Sequence, residues 1–358
     1  MTKEPINARG TFTPLGVSRS SERVSRAVGE SLRHYAVMED LKHQADLALK
    51  AWSGAEAGTL VHCTAAAITL SVAACMTGTD KALVRCLPLP TGGPSKVVLP
   101  AGHNVNYGHP VRQAIRLSGA TPLMVGEADA CSEGDLASAL KAPDICALLL
   151  VHSRLVEGVT PSLAAMISLA KDQNVPVILD GAAQDFKVAE LVALDPDLLL
   201  LSGQKYLASP TAGIVVGKAE MVAAVAAQES GIGRGMKASK EAIAGVLAAI
   251  EERQALDLAD WAQDKAAKLA AFLERANLLP GVTAYAVADP TNLPFERACL
   301  RLPCEAAPII AALKASNPAI WVMEDRASRG EILLESVMLS VAEEDLILQR
   351  LAVLLRDC

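Results

Sequence analysis

The stretch VPVILDGAAQDFKVAELVALDPDLLLLSGQK, residues 175–205, decides the fold. It holds two strand-length apolar runs, 175–180 and 198–202. Residues 175–179 are apolar without period-two alternation, as are residues 147–151. That is how a strand covered on both faces reads. The first run ends in Asp180 and the second in Ser202, with Lys205 three residues further on. In an open α/β sheet, ligands gather beyond the carboxyl ends of the strands. A carboxylate at one strand end and an amine just past the next can therefore meet one ligand.

The pattern extends in both directions. Strand-like runs at 59–63, 96–99, 122–125, 146–152 and 213–217 alternate with helical patterns at 64–76, 110–118, 133–140 and 161–174. Alternation of this kind predicts an α/β domain with a mostly parallel sheet between helices. Residues 1–18 are polar, with Gly10, Pro14 and Gly16, and read as an extended arm. Residues 20–50 read as helix, opened by Ser20 and Ser21 with Glu22 in the first turn. The texture changes near residue 237, where an Ala-rich helical stretch runs over 237–273. Strand-like runs follow at 282–287, 298–302, 320–323 and 332–339, with helical patterns at 305–314 and 342–356. The expected division is an arm (1–18), a large domain (19–240) and a small α+β domain (241–358) with its linking helix.

Composition limits the function. Of 358 residues, 51% are hydrophobic and only 3% aromatic, so an aromatic face for bases or sugars has little material. The net charge of −7 argues against a nucleic-acid partner, because phosphate neutralisation needs clustered Lys and Arg. No run approaches the roughly 18 apolar residues of a membrane span, and residues 1–10 lack an apolar signal core. The eight cysteines form no CxxC pair, which disfavours a zinc or disulfide framework. A soluble cytoplasmic protein is the default expectation.

The chemistry begins at Asp180 and Lys205. A lysine can form a Schiff base with a carbonyl. An aspartate can hold a proton on the ring nitrogen of pyridoxal phosphate and make the ring an electron sink. The turn His62-Cys63-Thr64-Ala65-Ala66, between a strand and a helix, offers amides for a phosphate, and Ser202 adds a hydroxyl. Taken singly, each residue has a plainer use: Asp180 and Thr64 as caps, Lys205 as a solvated charge. Their joint occurrence on adjacent strands favours the cofactor.

Five blocks carry a family resemblance: INARGTFTPLG (6–16), EAGTLVHCTAAAI (56–68), ILDGAAQ (178–184), SGQKYLASPTAGIVVGK (202–218) and GIGRGMKASKE (231–241). In these the chain resembles the selenocysteine-synthase-like family of fold-type I pyridoxal-phosphate enzymes. That family includes seryl-tRNA selenium transferase and D-glucosaminate-6-phosphate ammonia-lyase. The resemblance implies that Lys205 carries the internal aldimine and Asp180 pairs with the pyridinium nitrogen. It implies that Thr64, Ala65 and Ser202 hold the phosphate, that His103 covers the ring face, and that Gln184 lies near the O3′ side. Arg234 and Lys237 would lie near the active site, that of a neighbouring subunit included, since the fold type usually shares sites across a homodimer or a multiple of it. His152, at a strand end, reads equally well as functional or structural. Tyr107 reads as packing and His62 as core or cap. No metal site is expected.

One departure concerns the substrate. The family usually carries an arginine in a final strand, and Val337 stands there within LLESVML (333–339). Met323 likewise replaces a frequent arginine, with Arg326 and Arg329 nearby but off register. Arg9 in the arm is the candidate replacement for binding a carboxylate. The implied function is a lyase that removes ammonia from a small amino acid or amino sugar acid by α,β-elimination. The alternatives are a tRNA-dependent selenium transferase, another reaction of the same cofactor (racemase, aldolase, aminotransferase), and a cofactor-binding protein with decayed activity.

Overall fold

The computed structural model describes residues 4–89 and 92–357. By packing, Ser20–Gln254 form one unit, and the residues up to Arg19 together with those from Ala255 onward form the other. The strands in chain order are β1 (Ile6–Asn7), β2 (Ala57–Val61), β3 (Lys96–Pro100), β4 (Thr121–Val125), β5 (Ile145–Val151) and β6 (Val177–Asp180). They continue with β7 (Leu198–Ser202), β8 (Gly213–Gly217), β9 (Thr283–Ala288), β10 (Glu296–Arg301), β11 (Ile320–Trp321) and β12 (Glu331–Leu334).

The larger unit is built on a seven-stranded sheet in the order β2-β8-β7-β6-β5-β3-β4. β7, β6, β5, β3 and β4 run parallel, and only β8 pairs antiparallel, with β2 and β7. The mostly parallel sheet expected from residues 175–205 is therefore present. Every residue of β5 is buried, in keeping with its unbroken ICALLLV sequence. Two apolar clusters cover the two faces. One contains Leu148, Leu150, Leu179 and Leu199, and the other Leu149, Ile178, Leu198 and Leu200. The alternation of neighbours along each strand between clusters follows from the period of two.

Two long helical readings break in the structure. The 20–50 stretch is two helices, Glu22–Arg33 and Met38–Ser53, separated where His34 turns extended. Ser21 caps the first through the amide of Val24. The 237–273 stretch is also two helices, Lys240–Ala255 and Leu258–Ala276. Asp257 stops the first run and starts the second by accepting from the amides of Ala259 and Asp260. Short helices at Lys81–Cys86, Val188–Ala193 and Ala219–Ala227 went unassigned in the sequence reading.

The smaller unit contains the antiparallel sheet β12-β10-β9. β1 pairs in parallel with β11, which ties the arm into this unit. The expected strand 332–339 is shorter, because β12 ends at Leu334. The Glu335 amide leaves the sheet to bond the carbonyl of Ala8, and the chain turns at Ser336. Val337 thus lies in a turn beyond the strand. Six described cysteines are free thiols, and Cys304 is disulfide-bonded.

Candidate active site

The carboxyl ends of five strands of the large sheet bring the candidate residues to one edge. Cys63 and Thr64 follow β2, Lys205 follows β7, Asp180 ends β6, His152 follows β5, and His103 lies just past β3. Residues far apart in sequence become neighbours because a parallel sheet returns each strand to the same edge.

Close backbone approach joins the first three. Gly213 pairs with both Val61 and Ser202. A Cβ on Gly213 would lie 2.4 Å from the Cys63 carbonyl, so only glycine fits there. The Thr64 hydroxyl donates to the carbonyl of Leu201 at 3.3 Å. Thr64 opens the helix Thr64–Thr77, and Cys63 at its N-cap makes no side-chain bond to the first turn. The amides of that turn, Ala65 included, are left to meet an anion. Ser202 is buried, with its amide on the carbonyl of Ala182.

Lys205 is held by a closed loop. Its amide bonds the carbonyl of Ser202, and its own carbonyl accepts from Ala208, which adopts a left-handed φ of 54°. Burial lowers the Lys205 pKa, and the nearby Arg154 lowers it further, while Asp180 and Asp185 act to raise it. The net effect holds the amine below the ordinary lysine value. Asp180 is 5% exposed and accepts from the amide of Ala182 at 3.1 Å. Burial pushes its carboxyl up to about 6, with Lys205 and that amide pulling the other way.

His103 is 2% exposed. Its Nδ1 accepts from the Val151 amide at 2.9 Å, so Nε2 carries the proton. Burial and the neighbouring His152 hold its pKa down to about 4, which keeps the ring neutral. Among the described residues, His103 Nε2 and the Tyr107 hydroxyl are buried and meet no hydrogen-bond partner. A buried polar group left in this state costs about 1–3 kcal/mol, which a ligand can recover. Two unpartnered donors, a buried carboxylate, a lysine amine and a helix start form a site that fits pyridoxal phosphate. Gln184 is buried in the turn after β6.

Three residues here escaped the sequence reading. Arg154 follows β5 on the same edge, and the strand-end rule that found His152 could have found it. Asp185 and Arg253 form a buried ion pair at 2.6 Å. Arg253 also donates to the carbonyl of Tyr206 and stacks 4.0 Å over Phe186, bracing the Lys205 loop. No local signal ties Arg253, on a different helix, to that loop.

The remaining candidates are placed differently. Lys237 is exposed and bridges Val61 at the end of β2, and the adjacent Met236 carbonyl accepts from the His62 amide. Arg234 is exposed in a cleft with Lys81 and Glu229, and neither Lys205 nor Asp180 lines it. Arg9 is engaged within the smaller unit, bonded to Glu324 at 3.1 Å and stacked 4.0 Å over Phe12. Arg326 pairs with Glu331 at 3.7 Å.

A family model described as L-seryl-tRNA selenium transferase (SelA) matches residues 6–260. The chain belongs to the seryl-tRNA selenium transferase family. Within reach of that family, a 5'-C-glycyluridine monooxygenase-decarboxylase of Streptomyces is 32% identical, over 98% of this chain and 90% of that one. D-glucosaminate-6-phosphate ammonia lyase of Salmonella typhimurium is 29% identical, over 98% of this chain and 95% of that one. A solved D-glucosaminate-6-phosphate ammonia-lyase structure superposes with a TM-score of 0.88 at 29% identity, covering 100% of this chain and 96% of that one. The family is enzymatic, and the fold is that of the fold-type I pyridoxal-phosphate enzymes. Among the described residues no helix is long and apolar enough to cross a membrane.

Proposed function

We propose that this enzyme uses pyridoxal phosphate to remove ammonia from a small amino acid or amino sugar acid by α,β-elimination. The observation that carries the reading is the convergence of Lys205, Asp180 and the start of the Thr64 helix at one sheet edge. The extent of similarity to the ammonia lyase supports the reaction type. When bound, the cofactor supplies an aldehyde for amine exchange and a ring that takes up electron density from Cα.

The residues divide the remaining work. Lys205, its pKa lowered by burial, would take the Cα proton. Asp180, at the end of the strand next to β7, would hold a proton at the ring nitrogen. The amides of Thr64 and Ala65 and the hydroxyls of Thr64 and Ser202 bind the phosphate. His103 would cover the ring, with Nε2–H available as a donor, and Gln184 would lie near the O3′ side. His152 neighbours His103, whose ring is oriented by the Val151 amide. Arg234 and Lys237 are assigned to the site of a neighbouring subunit in a cytoplasmic homodimer or multiple of it. Arg9, already tied to Glu324, would have to exchange partners to bind a substrate carboxylate.

The test is spectroscopic. Wild-type protein should show a cofactor absorbance band, and borohydride should fix the label to Lys205, located by mass spectrometry. Lys205→Ala should lose the fixed label and at least about a hundredfold in activity. A variant that retains both would overturn the reading.

A second reading follows from the monooxygenase-decarboxylase relative. Oxygen-dependent loss of carboxylate from an amino acid carried on a nucleoside would begin at the same Cα. Ammonia and keto-acid release without oxygen uptake supports elimination; oxygen uptake with CO2 release supports decarboxylation. Transfer onto tRNA is disfavoured by the net charge of −7.

A further inference from the structure

Arg253 joins three segments of the larger unit. Its Nη1 lies 2.6 Å from Asp185 Oδ2, its Nη2 donates to the Tyr206 carbonyl at 2.9 Å, and its guanidinium stacks 4.0 Å over the Phe186 ring. Phe186 in turn meets the Tyr206 ring at 5.8 Å between centroids. Asp185 and Phe186 lie in the segment that leaves β6 at Asp180, and Tyr206 is the residue next to Lys205. β6 and β7 are neighbouring strands, and backbone bonds from Gly181 to Leu200 and from Ser202 to Ala182 join the two segments at their start. Arg253 joins them again further out, beside Lys205. The helix that carries it, Lys240–Ala255, is pressed on the Lys205 loop: a Cβ on Gly245 would lie 2.5 Å from the Pro210 ring.

Stability alone does not call for this arrangement. Asp185 is buried, and the cost of taking two charges out of water offsets much of their attraction. A well-packed pair of apolar groups often serves a fold as well. Such a pair could not hold a carbonyl, a carboxylate and an aromatic ring at set distances from one another, as a planar guanidinium with its donors in a fixed fork does. The Lys205 loop has use for that hold. Its own bond from the Lys205 amide to the Ser202 carbonyl is long, at 3.3 Å. Lysine carries its amine on a flexible four-carbon stem, so the place of the amine depends on how firmly the backbone is fixed. A displacement of about 1 Å matters for a group that must meet a reacting atom.

We propose that Arg253 is a positioning residue for Lys205: by holding the Tyr206 carbonyl to Asp185 and Phe186, it fixes where the Lys205 amine stands relative to Asp180. Its use in catalysis rests on the cofactor reading above, while the placement of the amine is measured without cofactor. The apo-protein is labelled with acetic anhydride across a pH series, and the modification of Lys205 is followed by mass spectrometry. The double variant Arg253→Met, Asp185→Asn removes both charges together and leaves no orphan. The sign of its effect separates two roles. Asp185 acts to raise the Lys205 pKa, so a purely electrostatic role predicts that the labelling midpoint falls when the pair is removed. Loss of placement lets water reach the amine, so the midpoint should rise by about one pH unit, a tenfold drop in the neutral fraction at pH 8. Pyridoxal 5'-phosphate, titrated by absorbance, should bind this variant about tenfold more weakly. Arg253→Lys keeps the charge beside Asp185 and loses the fork, so it should shift the midpoint in the same direction by less. It also decides the case if the double variant melts early. An unchanged or lowered midpoint in both variants would overturn the proposal, as would unchanged pyridoxal 5'-phosphate affinity in both. If the wild type binds no pyridoxal 5'-phosphate, the cofactor reading fails, and the labelling still decides whether Arg253 places the amine.

Discussion

Asp180, which ends β6 in the larger unit, and Asp289, which follows β9 in the smaller, are both buried strand-end aspartates, 5% and 4% exposed. Their fates are opposite. Burial pushes Asp180 up to about 6, and one backbone amide is the hydrogen bond it receives from the described chain. Burial acts on Asp289 in the same direction, yet the Thr291 hydroxyl at 2.6 Å and the Arg297 guanidinium outweigh it and hold its carboxyl below the ordinary value. Arg297 also binds Glu335 at 2.9 Å. A carboxylate that belongs to the scaffold is saturated by its own chain. One that belongs to a site is left short, and its proton becomes easy to move.

The largest effect should come from breaking the saturated cluster. Arg297→Met leaves two buried carboxylates facing each other and should cost about 3–5 kcal/mol in denaturant unfolding. A loss under about 1 kcal/mol would show that the cluster is not structural.

The two aspartates should then differ in sign. Asp289→Asn should destabilise the apo-protein by about 1–3 kcal/mol, through loss of charge-assisted bonds. Asp180→Asn should leave the apo-protein as stable at pH 7 or more so, while lowering activity at least about a hundredfold. Destabilisation of equal size in both variants would erase the distinction drawn between them.

Stability against pH sharpens the same point within the larger unit. Asp180 titrates near 6 in the fold against 3.8 ordinarily, so as pH rises from about 4 to about 6 the unfolded chain loses its proton first and stability falls. His103 titrates near 4 against 6.5, so as pH drops through the same window the unfolded chain takes up a proton first and stability again falls. Each contribution is on the order of 3 kcal/mol and the two oppose. Wild-type apo-protein should therefore show little net slope from this pair between about pH 4 and 6. Asp180→Asn should become steadily less stable on acidification, and His103→Gln less stable as pH rises. Parallel curves for both variants and wild type would refute the assignment.

The smallest effect is expected at Arg9. Its ion pair with Glu324 is partly solvated, so Arg9→Ala should cost no more than about 1 kcal/mol, with the contact to Phe12 the larger share.

β5, β6 and β7 were legible because parallel strands covered on both faces are written as apolar runs. The helix breaks at His34 and Asp257 were not, because helical periodicity continues through both and only the cap geometry interrupts it. Asp180 and Lys205 were legible because a strand end is a local feature. Arg253 was not, since its bond to the Tyr206 carbonyl spans 47 residues.

By itself the sequence determined the alternation of strand and helix, the polar residues at the strand ends and the order of the family blocks. These depend on neighbours in the chain and on the period of two or 3.6. Only the tertiary structure decided which buried polar atoms go unsatisfied. Asp180 and Asp289 have the same side chain, and Tyr107 reads as one more packing ring until its hydroxyl is seen without a partner. Hydrogen-bond saturation and desolvation are set by groups that meet across the fold, and the strand-end pattern alone does not encode them.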